Sequence, residues 1–507
     1  MILQTYKPII LILFLSLPGH ASAAKWAITP QLNASTTYYD NITLSETDKN
    51  KELVTQIQPG MMVSATGKRL QLTSGYSFGY VDYYGSEFND THFNSANASL
   101  NLEAIRRHLF ISSTASISQQ VIDPSRPGAS VDPNTVTNNR TETRSWSIIP
   151  TLRNRFGSFA NSVLSDQYSI VDYSSNAINS SWTNTLNYTL SSGNWFNQLT
   201  WNGNASYQTS EQGNANSAQA NARVNYAFTD HWSVFALGRV EKFNYALALT
   251  DSNRYFVNAE AGLVWTPSRK LQAEAGGGAV LDSSALSNKR IETEQYTWRA
   301  KILLRPTSRT EFEAGREQAA YGSREHLSFN HYSRKTRIGS TYAETLITPQ
   351  QSRLSSGQSS GINLNPGNFG GAAALSRAIT DDVILRKRLD VLASLSLRKL
   401  SLNANTFLEN GDYQTRNDSD KRYGGSGGGQ LNIGRRSNLS ASASLQRYYF
   451  SEADQVDNIY QFNTSASRTL SKHMNVSLTY LWQKRNSNVQ LANYSSNRIS
   501  AQVNITF

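Results

Sequence analysis

Six histidines beyond the first 23 residues are the first candidates for catalysis or metal binding. They are His92, His108, His231, His326, His331 and His473. None belongs to an HExxH motif or to a paired metal-binding spacing, and no nucleophile elbow is present. Because the chain has no cysteine, thiolate metal sites and disulfides are excluded. We therefore predict no catalytic residue, no metal site and no cofactor. An enzyme whose Ser, His and acidic groups are far apart in the sequence is the least favoured hypothesis.

Two glycine clusters are the next candidates, because glycine-rich loops can hold phosphates. Gly276 to Gly278 and Gly424 to Gly429, which includes Ser426, lie inside alternating segments. A phosphate-binding loop would join a strand to a helix instead. The clusters predict a bend or a close backbone approach.

The charged residues are the third group that could bind a partner. The chain has 48 basic and 37 acidic residues, which give a formal net charge of +11. Acidic residues concentrate in the longer loops, whereas the short turns are basic. The turns contain Lys68, Arg69, Arg106, Arg107, Arg269, Lys270, Arg334, Lys335, Arg398, Lys399, Arg435 and Arg436. Anchoring to anionic head groups is the favoured interpretation, and a cationic vestibule for an anionic chain is the alternative. No helix or aromatic-basic platform concentrates these charges, so nucleic acid is excluded as a partner.

The N-terminus predicts a secretory signal peptide over residues 1–23. Lys7 supplies positive charge, residues 9–17 form a short apolar run, and Ala21 and Ala23 form a small-x-small cleavage site. The run is about half the ~20 residues that a membrane-spanning helix needs. We predict cleavage after Ala23.

Residues 24–507 repeat one unit: an alternating strand, a tight turn, a second alternating strand and a longer polar loop. In one such hairpin Leu53, Ile57 and Met61 share a face, and Tyr76 and Tyr80 share a face after the turn. The mean hydropathy is that of a soluble protein, but a barrel strand shows lipid only every second residue. We predict an all-β fold: a single closed antiparallel transmembrane β-barrel of about 24 strands, within a range of roughly 20 to 28.

Turn and loop lengths predict the sidedness of this barrel. Short turns and both termini belong to the periplasmic side of such barrels, and long loops face outward. Residues 39–51, 121–143 and the longest, Ile347 to Asp382, are predicted outward loops. The last is rich in Gly, Ser, Asn and Gln, which favours a surface loop over an inward-folded constriction.

Aromatic residues support the predicted faces, because all nine tryptophans fall on the apolar parity of their strands. Aromatic girdles mark both interfaces of membrane barrels. The predicted interfacial aromatics are Trp26, Trp195, Trp232, Trp265 and Trp482.

The last strand alternates apolar residues up to a C-terminal aromatic. Its members are Ile499, Ala501, Val503, Ile505 and Phe507. This pattern resembles the signal that the barrel assembly machinery reads. Trp26 to Ala34 can supply the first strand, which would close the barrel and satisfy every edge amide.

The opposite parity carries mainly Ser, Thr, Asn, Gln and Gly, with sparse charge. Examples are Asn184, Asn187, Asn202, Asn204 and Ser206. A wet interior follows, suited to a hydrated polymer such as a polysaccharide or to an unspecialised solute pore. The lining does not separate these two functions.

Four short blocks carry a resemblance to a known family. They are Trp26 to Pro30, Tyr39 to Asn41, Gln58 to Gly60 and Asp382 to Leu389. They resemble the PEP-CTERM-system-associated outer-membrane barrel proteins, and the resemblance spans nearly all of residues 24–507. It implies a link to exopolysaccharide and exosortase loci and carries over no catalytic residue.

Three hypotheses follow. The first is a porin-like conduit associated with exopolysaccharide export, the second a general or sugar-uptake porin, and the third a structural or adhesive barrel without an open pore. The predicted location is the outer membrane of a Gram-negative cell. Predicted partners are outer-membrane lipid, the barrel assembly machinery, polysaccharide and periplasmic export components.

Overall fold

A computed structural model describes residues 24–85, 87–123, 125–175, 180–211, 216–247, 250–283, 296–319, 322–347, 384–413, 418–451 and 454–507. The predicted signal peptide, with Ala21 and Ala23, lies outside the described residues. So does the predicted long loop after Ile347.

The described residues form one sheet of 24 strands. The strands are β1 Lys25–Tyr39, β2 Glu52–Thr66, β3 Leu70–Tyr83, β4 Thr91–Ile105, β5 Leu109–Val121, β6 Arg140–Phe156, β7 Ala160–Tyr173, β8 Ser181–Ser192, β9 Leu199–Ser210, β10 Asn216–Ala227, β11 Trp232–Leu247, β12 Thr250–Ser268, β13 Leu271–Ser283, β14 Tyr296–Thr307, β15 Thr310–Ala319, β16 Gly322–Tyr332, β17 Thr336–Ile347, β18 Ile384–Ser396, β19 Leu400–Tyr413, β20 Ser419–Ile433, β21 Ser437–Phe450, β22 Gln455–Thr469, β23 Met474–Ser487 and β24 Tyr494–Thr506. The described part of the chain has no helix of the length and apolar character needed to cross a bilayer.

The sheet is a closed barrel. Each strand pairs antiparallel with the next, and β24 pairs with β1 from Gln31 opposite Thr506 to Tyr39 opposite Arg498. Closure leaves no edge strand with unpaired amides, which is the condition for a sheet in lipid. The predicted fold class is confirmed, and the strand number agrees with the predicted value of about 24.

The two ends of the barrel differ. One end, here called the turn end, carries both termini of the sheet and the short turns, such as residues 67–69, 106–108 and 397–399. The other, the loop end, carries the longer connections. At the turn end the last residue of each turn accepts a backbone hydrogen bond from a neighbouring strand or turn, which adds one more hydrogen bond to the ladder. These residues are Arg69, His108, Phe159, Gln198, His231, Lys270, Arg309, Lys335, Lys399, Arg436 and His473.

The outward face is apolar, as the alternation predicts. Ile28, Ile57, Leu263, Leu408 and Leu478 are all largely exposed to the surroundings of the barrel. Contiguous exposed apolar surface of this extent identifies a surface that contacts lipid. The barrel is therefore a membrane-spanning one.

The wall bends sharply at β13. Strands β12 and β14 lie on either side of β13, yet their Cα atoms come within 8 Å of one another. A bulge interrupts the register of β12 with β13 between Val257 and Asn258. The glycine cluster Gly276 to Gly278 lies at this bend, as the sequence predicted.

Candidate functional site

The candidate site is the luminal face, and the structure corrects the prediction of sparse charge there. Charged side chains of inward parity form clusters on β10 to β16 and on β18 to β20. Each charge is visible in the sequence, but most of the partners lie on other strands. Only the folded barrel brings the partners together, because the pairs join residues up to 83 positions apart.

The larger cluster is an ion-pair network centred on Arg299 and Glu317. Arg299 contacts three carboxylates: Glu260 at 2.7 Å, Glu274 at 3.5 Å and Glu317 at 2.9 Å. Glu317 contacts two further arginines, Arg239 at 2.9 Å and Arg324 at 3.4 Å. The full network comprises Arg223, Arg239, Glu241, Glu260, Glu274, Arg299, Glu317 and Arg324. Four arginines face four glutamates, so its formal charge is zero.

Phe235 forms the floor of this network. The Arg223 guanidinium carbon lies 4.2 Å from the Phe235 ring centre, and that of Arg299 lies 6.0 Å from it. A Cβ atom on Gly262 or Gly276 would come within 2.6 Å of this ring. The ring therefore packs against β12 and β13 at these two glycines, where the Cβ atom of a larger residue would collide with it.

The ion-pair network braces the corner of the wall. Strands β11 and β15 are four positions apart, about 19 Å along a flat sheet at ~4.8 Å per strand. The side chains of Arg239 and Glu317 cannot span that distance, so their contact at 2.9 Å requires the bend at β13. The Glu260 side chain is fully buried. These charges thus fill the inside of a corner and are largely removed from the passage.

A second cluster repeats this arrangement on β18 to β20. The guanidinium carbons of Arg388 and Arg422 lie 5.0 Å and 4.6 Å from the Phe407 ring centre. Arg388 also binds Asp390 at 2.6 Å and Glu409 at 2.5 Å. Arginine suits both contacts, since its planar group stacks on aromatic rings and pairs with carboxylates. This cluster too is braced by paired charges.

At the loop end, the described loop residues 122–123 and 125–139 fold inward across the mouth, whereas the sequence analysis expected residues 121–143 only as an outward loop. Arg485 on β23 donates to the carbonyl oxygens of Ser125 at 2.7 Å and Arg126 at 2.8 Å. It also pairs with Asp457 at 2.7 Å, and both side chains are 1 % exposed. The Gln455 amide donates to Ser125 O at 2.9 Å. The loop between β5 and β6 is therefore held against β22 and β23.

A second attachment holds the middle of this inward loop. Asp132 pairs with Arg498 of β24 and accepts a hydrogen bond from the Tyr39 hydroxyl at 2.8 Å. Behind these polar contacts lies a small apolar core of loop and strand residues inside the mouth. Its members are Tyr39, Ile42, Val54, Val81 and Tyr83, with Phe88, Phe93 and Val136 packed against them.

Under the inward loop lies a recess of about 240 Å³, here called the mouth recess. Its walls come from five strands around the closure of the barrel and carry uncharged hydroxyl and amide groups. They include Asn33, Ser35, Thr37, Gln56, Gln58, Asn463, Ser465, Ser477, Thr479, Ser500 and Gln502. The loop residues Asp132, Pro133 and Asn134 lie against one side, and Phe93 and Leu481 add apolar surface.

The luminal face from β4 to β10 carries mainly uncharged polar side chains, as the sequence analysis proposed. Its charged residues include Glu103 and Arg153 near the turn end and Arg223 of the ion-pair network. Ser112 donates to Asn101 at 3.0 Å, and Asn204 donates to Asn221 at 3.2 Å. One predicted luminal residue is misplaced: Asn184 shares the parity of Trp182 and Leu186 and binds Asp166 at 2.8 Å. Its outward position follows from the strict two-residue period of β8.

The residues predicted for assembly lie on β24 and at the C-terminus. Ile499, Ala501, Val503 and Ile505 alternate along the strand and face Tyr38, Thr36, Ala34 and Leu32 of β1 in the register. Phe507 is exposed, and its backbone N–H donates to Pro30 O at 2.9 Å. Their recognition by the assembly machinery stays a prediction.

The predicted interfacial tryptophans lie toward both ends. Trp26 lies near the start of β1, and Trp195 lies in the turn between β8 and β9. Trp232 and Trp265 are cross-strand partners at the turn end, with ring centres 6.0 Å apart. Trp482 pairs with Phe462 nearer the loop end. Their role as lipid anchors stays a prediction.

The described histidines make separate local contacts along the strands and do not come together at one site. His108, His231 and His473 each place Nδ1 about 3 Å from a backbone carbonyl of the adjoining strand, which the ring N–H can donate to. His326 contacts Glu313 at 3.1 Å, and His331 contacts Thr310 at 2.9 Å. Within the described ranges no three His, Cys, Asp or Glu side chains come together as a metal site.

Comparisons with known proteins add structural neighbours of low identity. No protein-family model matches the chain, and no curated protein matches it. Among solved structures, the FrpB iron transporter from Neisseria meningitidis is 10% identical, with 94% of this chain and 82% of that one covered and a TM-score of 0.45. The siderophore receptor PirA from Acinetobacter baumannii is 9% identical, covering 95% and 80%, with a TM-score of 0.44. Pseudomonas aeruginosa OccK2 is 7% identical, covering 96% and 99%, with a TM-score of 0.34. Likeness at this level carries no argument about function to this chain.

Proposed function

We propose that this chain is an outer-membrane barrel that acts as a porin-like conduit associated with exopolysaccharide export. The observation that carries the proposal is the division of the luminal face. In the corner network and the Phe407 cluster, arginines are paired with carboxylates. The rest of the luminal face carries mainly neutral hydroxyl and amide groups such as Ser112, Asn204 and Gln502.

This lining suits a polyhydroxylated chain. Sugar hydroxyls both donate and accept, and so do Ser and Thr hydroxyls and Asn and Gln amides. A polymer can exchange its water contacts for such groups without a large desolvation cost, whereas an unpaired luminal charge would bind one sign of ion tightly. Charges that are already paired with one another do not bind a passing ion in this way.

Two further features support export. The resemblance of residues 26–30 and 58–60 to the PEP-CTERM-associated barrels implies an exopolysaccharide locus. The turn end carries cations such as Arg69, Lys270 and Arg436. We propose that this end faces the periplasm, where these residues contact head groups and meet export components. The proposal includes insertion by the barrel assembly machinery through β24.

Planar-bilayer conductance of the refolded mature protein tests the proposal. Polysaccharide from the producing strain is added on the turn side, then on the loop side, with dextran of matched length as the control polymer. We expect a measurable conductance that the strain's polymer blocks from the turn side and dextran blocks less. Conductance indifferent to the polymer contradicts the export function.

A general or sugar-uptake porin is the second candidate, and the inward loop favours it. Attachment of residues 125 and 132 to Arg485 and Arg498 narrows the mouth, which suits small solutes better than a polymer. Equal conductance for small sugars from both sides, without polymer block, would identify it. No conductance at all would point to the structural or adhesive barrel.

A further inference from the structure

We propose that the mouth recess is a binding site for one neutral sugar ring. The inference deepens the proposed function and rests on it, because it identifies where a polyhydroxylated chain is held in the passage. The site combines strand residues around the barrel closure with the Asp132-Pro133-Asn134 segment of the inward loop.

Unpartnered amide oxygens are the first support. Asn463 on β22 is 8 % exposed and Asn134 on the loop is 6 % exposed, and both line the recess. The Oδ1 atom of each has no hydrogen-bond partner within the described structure. Burying an amide oxygen without a partner costs free energy, so each of these two oxygens retains an acceptor capacity that a donor in the recess would fill. The terminal side-chain torsion of asparagine is soft and lets each oxygen turn toward that space.

The surrounding polar groups define the ligand's chemistry. Thr37 donates to Ser500 at 2.9 Å, Thr479 donates to Ser465 at 3.0 Å, and Gln502 donates to Asn33 at 3.0 Å. Each hydroxyl oxygen retains capacity for a further bond. The ligand must therefore offer several O–H groups in a small volume.

Charge balance makes the ligand neutral. Among the described residues that line the recess, Asp132 and Arg498 are the two charged side chains, and they pair with one another. The Tyr39 hydroxyl binds the same carboxylate. A carboxylate or ammonium on the ligand would enter without a partner and lose its hydration.

Size and apolar surface complete the description. A volume of about 240 Å³ is smaller than the ~300–1,000 Å³ of pockets for drug-sized ligands and suits a single ring. Phe93 lies over Gly79, where a Cβ would meet the ring at 2.4 Å. Phe93 with Pro133 and Leu481 offers apolar surface to the C–H face of a sugar.

Saturation-transfer NMR on the folded, detergent-solubilised barrel tests the site without requiring ion flow. The probes are methyl glucoside, methyl galactoside and methyl mannoside, with glucuronate as the anionic comparison. We expect transfer to at least one neutral glycoside and little to glucuronate. Asn463→Leu and Asn134→Leu should each weaken binding about tenfold, since the lost acceptor is one hydrogen bond of a buried set.

The matched control is Asn221→Leu, the same change on the luminal face of β10, where Asn221 already binds Asn204. It should leave binding unchanged. Circular dichroism and heat-modifiable gel mobility verify that each variant folds. Equal binding by wild type and Asn463→Leu overturns the site, as does transfer to glucuronate equal to that of the glycosides.

The two proposals fail separately. If the barrel conducts ions and is blocked by the polymer but binds none of the three glycosides, the conduit function is supported and the sugar site is overturned. The recess then holds water only. If the barrel binds a glycoside through Asn463 but conducts no ions, the sugar site is supported and the conduit function is overturned.

Discussion

At the scale of single residues, Arg299 decides the stability of the corner because it contacts three carboxylates at once. Removing one partner of a buried ion pair leaves charge without compensation, which costs about 3–5 kcal/mol. Arg299→Met should destabilise the barrel by that order, measured by urea unfolding in lipid vesicles. Arg305→Met is the control: its pair with Glu311 is about half exposed, and its loss should cost no more than about 1 kcal/mol. Equal losses would show that the corner network contributes no more than a surface pair.

Neighbouring glycines make a sharper comparison at the same scale. A Cβ on Gly276 would lie 2.6 Å from Phe235 and 3.0 Å from Ala261 O, whereas one on Gly277 would meet nothing closer than Thr297 O at 3.6 Å. Gly276→Ala should therefore lower the free energy of unfolding by about 1–3 kcal/mol through overpacking. Gly277→Ala should be nearly neutral in the same unfolding assay. A larger loss for Gly277→Ala would contradict the placement of the Phe235 ring.

At the scale of elements, the inward loop depends on strands that are far from it in sequence. Arg485 joins the loop carbonyls of Ser125 and Arg126 to Asp457. Arg485→Met should release the loop and speed amide hydrogen exchange in residues 125–139 by about tenfold or more, because charged hydrogen bonds contribute ~1.5–3 kcal/mol. Exchange detected by mass spectrometry measures this. Lys484→Met, one residue away on the outward parity, should leave it unchanged, and equal exchange in both variants would contradict the attachment.

At the scale of the whole molecule, the residues where β24 closes on β1 allow an effect on assembly in cells to be distinguished from an effect on the stability of the folded barrel. Phe507 is mostly exposed and contributes one backbone hydrogen bond to Pro30. Phe507→Ser should change stability in vitro by no more than about 0.5 kcal/mol. In cells it should lower the heat-modifiable, folded fraction in the outer membrane several-fold, because we propose that this residue is part of the signal read by the assembly machinery.

The control for this prediction is Leu470→Ser, which removes an exposed apolar side chain at the same end of the barrel, in the turn between β22 and β23 and not at the C-terminus. Its folded fraction should equal that of the unaltered protein. A similar loss in both variants would remove the special role of the C-terminal residue and leave general apolar surface as the cause.

Local patterns account for the parts of the fold that were predictable. Alternation such as Leu53, Ile57 and Met61 places side chains on one face, and the period of two is a property of the extended backbone itself. Basic pairs such as Arg398 and Lys399 lie at the tight turns. The luminal pairs were missed because Arg239 and Glu317 are far apart along the chain. The sequence feature that could have indicated this pair is that both residues lie on the inward-facing parity of strands whose outward faces are apolar.

The sequence alone determined the strands, the turns, the outward apolar face and the closed-barrel class, since each depends on neighbours within about ten residues. Only the tertiary structure decided which luminal charges meet, how β13 bends and that the loop at residues 125–139 turns inward. These features depend on contacts such as Arg485 with Ser125, 360 positions apart. Such pairs exist only after closure brings β24 to β1, because no local preference of the chain encodes that distance.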